Sequence, residues 1–371
     1  MKKIRYTLLY PEADDTSLVK DVGMIPDTLA QDFGYDAALI CYEKIKFRDD
    51  KKKNPGAKVI CLKPFYRNAL LDGMRFIRKN AKEIDILQLF HPVKRNVIWI
   101  LCYKMWNPGG KVYLKLDADH RIITSVRGKH DIFHRLKKKM IEWLLMSPDL
   151  VTVESTDMRK QIEDYYGIKI PVLPNGYQDR EETADSYRKE KIILTVARNG
   201  TYQKATENLL AAFAAADIGA EWKLRLVGSM EESFCTYYHQ FMEEHKELEG
   251  KITYEGEIHE RRALYEEYER ASVFALPSRY ESFGIVLAEA LSRGCYLVTT
   301  DSVPSAHDLI PDNRYGEIVE TDNISSLAET FERIDRKPEI IDAYQKDRSE
   351  HARERFTWYG ICRQLEEYLN A

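Results

Sequence analysis

Short runs of β-branched and aromatic residues alternate with longer helical stretches along this chain, and the pattern occurs twice. In the first half, Lys3–Tyr10, Ala37–Cys41, Lys58–Cys61, Ile84–Leu89, Val112–Leu116 and Leu150–Val153 read as strands, with a helix over Val22–Phe33 and further helical stretches between them. A break follows at Pro171–Glu190. It holds the turn signal Pro174-Asn175-Gly176 and the charged, core-poor stretch Gln178–Lys189. The alternation then restarts, with strands expected at Lys191–Ala197, Trp222–Val227, Ile252–Tyr254, Ser272–Leu276, Tyr296–Thr299 and Glu317–Val319. Helices are expected at Lys204–Ala216, Glu231–His245, Arg262–Glu269, Phe283–Arg293 and Ile324–Ile334, and a helical tail over Glu339–Asn370 is interrupted near Phe356-Thr357. Apolar runs joined by helices need crossover connections, and crossovers make parallel sheets. The chain is therefore α/β, with two doubly wound sheets divided near residue 174. Such sheets bind ligands outside the carboxyl ends of their strands, so two of them facing each other would enclose a deep cleft.

The charge divides in the same place. The formal total is −4, from 56 basic and 60 acidic residues, which argues against a general nucleic-acid binder. Residues 1–174 carry 32 Lys and Arg against 22 Asp and Glu, net +10, and the remainder carries 24 against 38, net −14. The basic excess is concentrated in Glu43–Lys82 and Arg121–Lys139. Within the second of these, Phe133–Leu145 reads as a helix mixing cationic and apolar positions, able to rest on an anionic leaflet or to serve as a charged outer helix of a soluble domain.

No apolar run reaches the roughly 20 residues needed to span a bilayer. The apolar stretch after Lys2-Lys3-Ile4-Arg5 ends at Pro11-Glu12, too early for a signal peptide, so a cytoplasmic protein is expected, peripheral on the inner membrane face if the basic helix docks there. Six scattered cysteines suit neither a zinc site nor a disulfide framework.

Two constellations carry chemistry in the second half. Arg198-Asn199-Gly200 through Lys204 follows a strand and opens a helix, presenting backbone N–H groups and two cations to an anion such as a diphosphate. No Gly-Lys-Ser/Thr triplet makes it a Walker loop. Further on, Pro277-Ser278-Arg279-Tyr280-Glu281-Ser282-Phe283-Gly284 leads into an apolar helix carrying Glu289. A carboxylate inside an apolar helix needs a partner, and sugar or ribose hydroxyls are good ones. The blander assignment makes Glu281 a helix cap and Glu289 half of a salt bridge.

These residues, with Thr253–Glu257 and the closing Arg355-Phe356-Thr357-Trp358, resemble the retaining glycosyltransferases of the GT-B fold, family four (glycosyl transferases group 1). The resemblance is specific in the second half and loose in the first. It implies that residues 1–174 bind the acceptor and 175–356 the nucleotide-sugar donor, with the last helix, about 357–371, crossing back to the first domain. Arg198 and Lys204 would neutralise the donor diphosphate, Glu281 would contact the donor sugar, Glu289 would hold the ribose, and amides near Ser282, Phe283 and Gly284 would reach the donor. No cofactor or metal is implied. In the first domain the family's glycine loop corresponds to Val22-Gly23-Met24-Ile25-Pro26, with Gly23 as candidate although the doubled glycine is missing. The residue near the donor sugar or acceptor hydroxyl corresponds to Lys115–His120, where Asp117 and His120 lead, Asp119 is the third candidate, and His91 is a weaker one. The implied reaction is metal-independent sugar transfer to a glycan or lipid-linked saccharide in cell-surface polysaccharide synthesis. An epimerase of the same fold and a non-catalytic nucleotide-binding module are the alternatives.

Overall fold

The computed structural model describes residues 3–42, 56–127, 131–178 and 186–371. Parts of the two basic segments, at 43–55 and 128–130, and residues 179–185 of the charged linker lie outside the described residues. The chain divides into two compact units, Met1–Gly176 with Trp358–Ala371, and Tyr177–Thr357.

The first unit holds six parallel strands: β1 (Arg5–Leu9), β2 (Asp36–Cys41), β3 (Lys58–Cys61), β4 (Ile86–Phe90), β5 (Lys111–Lys115) and β6 (Leu150–Thr152). Their order across the sheet is β3-β2-β1-β4-β5-β6. Helices α1 (Asp21–Asp32), α2 (Ala69–Asn80), α3 (Lys94–Trp106), α4 (Arg121–Thr124), α5 (Ile132–Met146) and α6 (Thr156–Tyr166) connect them. Local chemistry sets several starts. Asn68, Asp131 and Ser155 accept hydrogen bonds from first-turn N–H groups of α2, α5 and α6, and Gly167 ends α6 at φ +68°. The central strand β4 is buried at every residue, which is why its sequence does not alternate: it is apolar except at Gln88, whose amide oxygen accepts from the Tyr6 hydroxyl.

The second unit repeats the plan with β7 (Glu190–Val196), β8 (Lys223–Val227), β9 (Ile252–Gly256), β10 (Ala271–Leu276), β11 (Tyr296–Thr300) and β12 (Gly316–Val319), in the order β12-β11-β10-β7-β8-β9. Its helices are α7 (Thr206–Ala215), α8 (Glu232–Glu244), α9 (Arg261–Arg270), α10 (Ile285–Ser292), α11 (Ala306–Leu309), α12 (Ile324–Arg336), α13 (Glu339–Ala343) and α14 (Gln345–Phe356). The expected tail helix thus breaks twice, at Tyr344 and at Thr357. The final helix α15 (Trp358–Asn370) buries Trp358, Ile361, Cys362, Leu365 and Leu369 against Tyr6, Met24, Ile25 and Leu29 of the first unit. Among the described residues no helix is long and apolar enough to cross a membrane.

Both strand orders reverse direction beside their first strand, between β1 and β4 and between β7 and β10. Loops leaving the carboxyl ends on either side of such a switch point splay apart and leave a crevice. The residues that carry chemistry leave these strand ends.

Candidate functional site

In the second unit the switch point joins the two constellations that are 77 residues apart in sequence. Arg198–Ala205 leaves β7 and Pro277–Gly284 leaves β10. The Arg279 N–H donates to the Gln203 carbonyl at 2.8 Å, and Gln203 Nε2 donates to the Tyr280 carbonyl at 3.0 Å. The Glu281 carboxylate is buried and held at both oxygens: Lys204 Nζ and Ser278 Oγ (2.8 Å) donate to Oε1, and Gln203 Nε2 donates to Oε2 at 3.3 Å, leaving Oε2 able to accept again. A buried carboxylate held by a lysine, a hydroxyl and an amide has one orientation, so it can receive a ligand hydroxyl without reorganising. Arg198 is exposed, and its side chain makes no hydrogen bond or ion pair with any described residue. It is the free cation of the loop.

The loop itself is shaped by residues the sequence did not single out as functional. Buried Asn199 donates to the carbonyls of Ala197, Val227 and Ser229, tying the end of β7 to the end of β8. Gly228, at φ +113°, lets those ends approach: a Cβ there would stand 2.0 Å from the Ala197 carbonyl oxygen. Ala205 is left-handed at φ +48°, an uncommon state for a side chain and a mark of a loop held by its surroundings.

Beyond Glu281, Gly284 takes φ +82° and α10 begins at Ile285, two residues later than the sequence pattern suggests. Phe283 is wholly buried, with its ring against Phe356 and its carbonyl accepting from Ser305 Oγ. It can meet a ligand only through its N–H. Ser282 is half-buried beside it. Together with Gly284 it frames the first-turn N–H groups that every helix leaves without internal acceptors. Glu289 lies inside α10 and is buried. Arg261 Nη2 donates to its Oε1 at 2.6 Å and the Tyr268 hydroxyl to its Oε2 at 3.0 Å. The salt-bridge assignment for Glu289 is therefore present in this structure, and each carboxylate oxygen keeps a lone pair beyond it. Burial, with Glu289 adding to it, holds the Tyr268 hydroxyl far above its ordinary range, so it remains a donor.

In the first unit the ends of β4, β5 and β6 gather a second, denser cluster. Lys115 and Glu154, both without exposed side-chain surface, form an ion pair at 3.0 Å. Lys115 also donates to the Leu173 carbonyl at 3.2 Å. Burial pulls the Lys115 ammonium down, but Glu154 outweighs it and keeps it charged. The Glu154 carboxylate in turn accepts the N–H groups of Asp117 (2.8 Å) and Ala118 (3.0 Å), holding Asp117 at φ +42°. His91, at the end of β4, is also left-handed at φ +63°, and its Nδ1 lies 3.9 Å from Asp117 Oδ2. Two strained residues facing one another across adjacent strand ends mark a constrained site.

The remaining candidates part company here. Asp119 is committed locally, accepting the Arg121 N–H at 2.8 Å and its guanidinium. His120 stands half-buried at the start of α4, and its side chain makes no hydrogen bond with a described residue. Gly23 is not on a loop. It is the third residue of α1, where a Cβ would stand 2.2 Å from the Leu18 carbonyl oxygen, so glycine lets the preceding turn pack on the helix. At the head of that helix is Asp21, buried and unremarked by sequence reasoning. Lys115 was visible as a charge at the end of an apolar strand. Its partner Glu154, 39 residues on, carried no local signal.

Residues 178–355, just under half of the chain, match the family described as Glycosyl transferases group 1. Mannosylfructose-phosphate synthase of Agrobacterium fabrum is 29% identical over 228 residues, covering 55% of this chain and 48% of that protein. An N-acetylgalactosamine-N,N'-diacetylbacillosaminyl-diphospho-undecaprenol 4-alpha-N-acetylgalactosaminyltransferase of Campylobacter jejuni is 24% identical over 250 residues, 65% of each chain. The chain spans about half to two thirds of the length of the curated relatives it matches. Among solved structures, sucrose-phosphate synthase from Thermosynechococcus elongatus superposes with a TM-score of 0.78 at 19% identity, covering 99% of this chain and 98% of that one. Anabaena HepE in complex with UDP gives 0.75 at 15% identity, covering 100% of both. These likenesses show the fold, two Rossmann-like units of the GT-B kind.

Proposed function

We propose that this chain, whose second unit belongs to the glycosyl transferases group 1 family, is a retaining glycosyltransferase that moves a sugar from a nucleoside-diphosphate donor to a hydroxyl of a glycan or lipid-linked acceptor. The observation that carries the reading is the β7/β10 crevice, where an Arg198 side chain without a partner among the described residues and the Lys204–Glu281 pair stand at the switch point beside a helix N-terminus. A leaving nucleoside diphosphate gains negative charge as its bond to the sugar breaks. Cations and N–H groups already fixed there stabilise that charge more in the transition state than before it. In this reading Arg198 and Lys204 take the diphosphate without a metal, Glu281 takes donor-sugar hydroxyls, and Glu289 takes the ribose through its remaining lone pairs. The leaving phosphate receives the proton of the attacking hydroxyl. Asp117, His91 and His120 in the first unit belong to the sugar and acceptor side.

The UDP bound in the HepE structure and the diphospho-undecaprenol in the name of the Campylobacter relative support the donor and acceptor classes. A lipid-linked acceptor is further supported by the first unit's surface. Ile98, Leu101 and Met105 form an exposed apolar stripe on α3, and Ile132, Phe133 and Leu136 form another on α5. An open groove of about 720 Å³ between Pro92–Lys94 and α5 is lined largely by apolar groups, with Lys94 and Lys137 at its edge. Apolar stripes flanked by cations suit an anionic bilayer surface.

The test is a panel of nucleotide sugars screened by thermal stabilisation, then for hydrolysis and transfer. A donor at 100 times its dissociation constant should add about 2.7 kcal/mol. Arg198→Ala should abolish that stabilisation. An altered sugar released from donor alone would favour the epimerase reading, and stabilisation by no nucleotide sugar would overturn the proposal.

A further inference from the structure

We propose that Arg261 is a positioning residue of the donor crevice: it fixes the Glu289 carboxylate to accept the ribose diol of a nucleoside diphosphate, and through it the site selects ribonucleotides over their 2′-deoxy forms. This role rests on the glycosyl-transfer reading, which supplies the nucleotide but says nothing of Arg261.

Arg261 breaks a local rule. It is the first residue of α9, Arg262 follows it, and no acid stands in that turn. A cation at the head of a helix has the wrong sign for the helix dipole. Capping falls to Glu260, whose carboxylate accepts the Ala263 N–H at 2.6 Å. Arg261 therefore does nothing for its own helix, and a local violation of this kind marks a residue held for another purpose. Its guanidinium reaches α10 instead, where Nη2 donates to Glu289 Oε1 at 2.6 Å.

The guanidinium is itself held. Its Nε donates to the Tyr265 hydroxyl at 3.1 Å, and it lies 5.0 Å from the centroid of the Tyr265 ring. The Tyr265 hydroxyl donates onward to the Gln178 carbonyl at 2.6 Å. The Tyr268 hydroxyl donates to Glu289 Oε2 at 3.0 Å. Arg261, Tyr265 and Tyr268 stand at i, i+4 and i+7, on one face of α9. A single helix face thus supplies one donor to each carboxylate oxygen. Burial pulls the Arg261 guanidinium down, but Glu289 outweighs it and keeps it charged. The Glu289 side chain is 6% exposed and that of Arg261 30%, so the carboxylate lies deep and the guanidinium reaches the surface.

The pair spans the donor crevice. α9 follows β9, on the β8–β9 side of β7, and α10 follows β10 on the other side. A carboxylate with one fixed donor on each oxygen keeps acceptor capacity on both, and can take two neighbouring hydroxyls at once. A ligand that lacks one hydroxyl leaves a buried charged acceptor short of a partner, and sites built on such hydrogen bonds reject that ligand. Without Arg261 the carboxyl would keep only Tyr268. A buried carboxyl so placed takes up a proton or turns away, and the preference for ribose goes with it.

The experiment measures dissociation constants of the full chain for UDP, GDP, ADP and their 2′-deoxy forms by calorimetry. The proteins are the wild type, Arg261→Ala, Arg261→Lys and the control Arg262→Ala, whose arginine pairs with Glu266 and Glu269. The wild type should bind its preferred ribonucleotide roughly 10- to 100-fold more tightly than the deoxy form. Arg262→Ala should keep that ratio. Arg261→Ala should bring it below about threefold, chiefly by weakening the ribonucleotide. Arg261→Lys keeps the charge but not the fork that joins Tyr265 to Glu289, so its ratio should fall at least about threefold even where Arg261→Ala does not fold. A wild-type ratio near one would overturn the proposal. So would either Arg261 variant holding or exceeding the wild-type ratio, because bracing α9 alone would change both affinities together. With a transfer assay in hand, Arg261→Ala should raise the donor KM roughly tenfold with kcat within about threefold, since the ribose is held equally before and in the transition state. A fall in kcat at unchanged KM would overturn the role. Failure of all six nucleotides to bind the wild type would count against the glycosyltransferase reading and this role together, whereas binding without ribose preference removes Arg261 alone.

Discussion

Single side chains at both switch points are held before any ligand arrives. Glu281 has its three donors, and Glu289 has Arg261 and Tyr268. Glu281→Gln keeps the shape and removes the charge, so nucleotide-sugar turnover should fall at least about 100-fold, read in the transfer assay. Full activity would remove Glu281 from the site. In the first unit, Glu154→Ala strands the Lys115 ammonium in the core. It should cost roughly 3–5 kcal/mol by chemical denaturation, whereas changing both residues to methionine should recover most of that loss. An equal loss in the double variant would mean that packing, and not the unpaired charge, sets the cost. These pairs also show where sequence reading stops. Glu281 was visible as a lone residue, whereas Glu154 was not singled out at all. The partner of Glu281 lies 77 positions away and the partner of Glu154 lies 39 away, so nothing local names either.

Elements translate those residues into geometry. The loop after β7 exists in its observed form because β8 ends in Gly228 at φ +113° with the Ala197 carbonyl beside it. Gly228→Ala should therefore cost about 3 kcal/mol or more by denaturant midpoint. The control is Gly109→Ala: Gly109 has open space around it and should be nearly neutral. On the outer surface of the first unit, α3 and α5 expose two apolar stripes, with Phe133 78% and Leu136 58% exposed. Phe133→Glu with Leu136→Glu should weaken binding to anionic vesicles by roughly tenfold, and 0.5 M salt should weaken it in the wild type. Vesicle binding indifferent to both changes would remove the membrane from the proposal. The α5 stripe was legible from its spacing. The α3 stripe was not, because Val97–Tyr103 is apolar all round and only packing decides which apolar positions become core.

At the level of the whole molecule, the last helix belongs to the first unit although it follows the second in sequence. α15 buries Trp358, Ile361, Cys362, Leu365 and Leu369, and large apolar side chains contribute about 1.5–3 kcal/mol each. Their sum is on the order of a whole domain's stability. A chain ending at Thr357 should therefore lose the cooperative unfolding of its first unit, read by calorimetry, while the second unit keeps its transition. An unchanged pair of transitions would show that α15 is dispensable. The amino-acid sequence by itself determined the class of fold, because a parallel sheet buried on both faces leaves continuous apolar runs that helices must separate. It also placed Arg198, Gly200 and Lys204 within one short stretch after β7. Only the tertiary structure decided which charges stand together. The Lys115–Glu154–Asp117–His91 cluster is assembled from the ends of β4, β5 and β6. Strand order across a sheet is fixed by crossover topology, not by any residue's sequence neighbours.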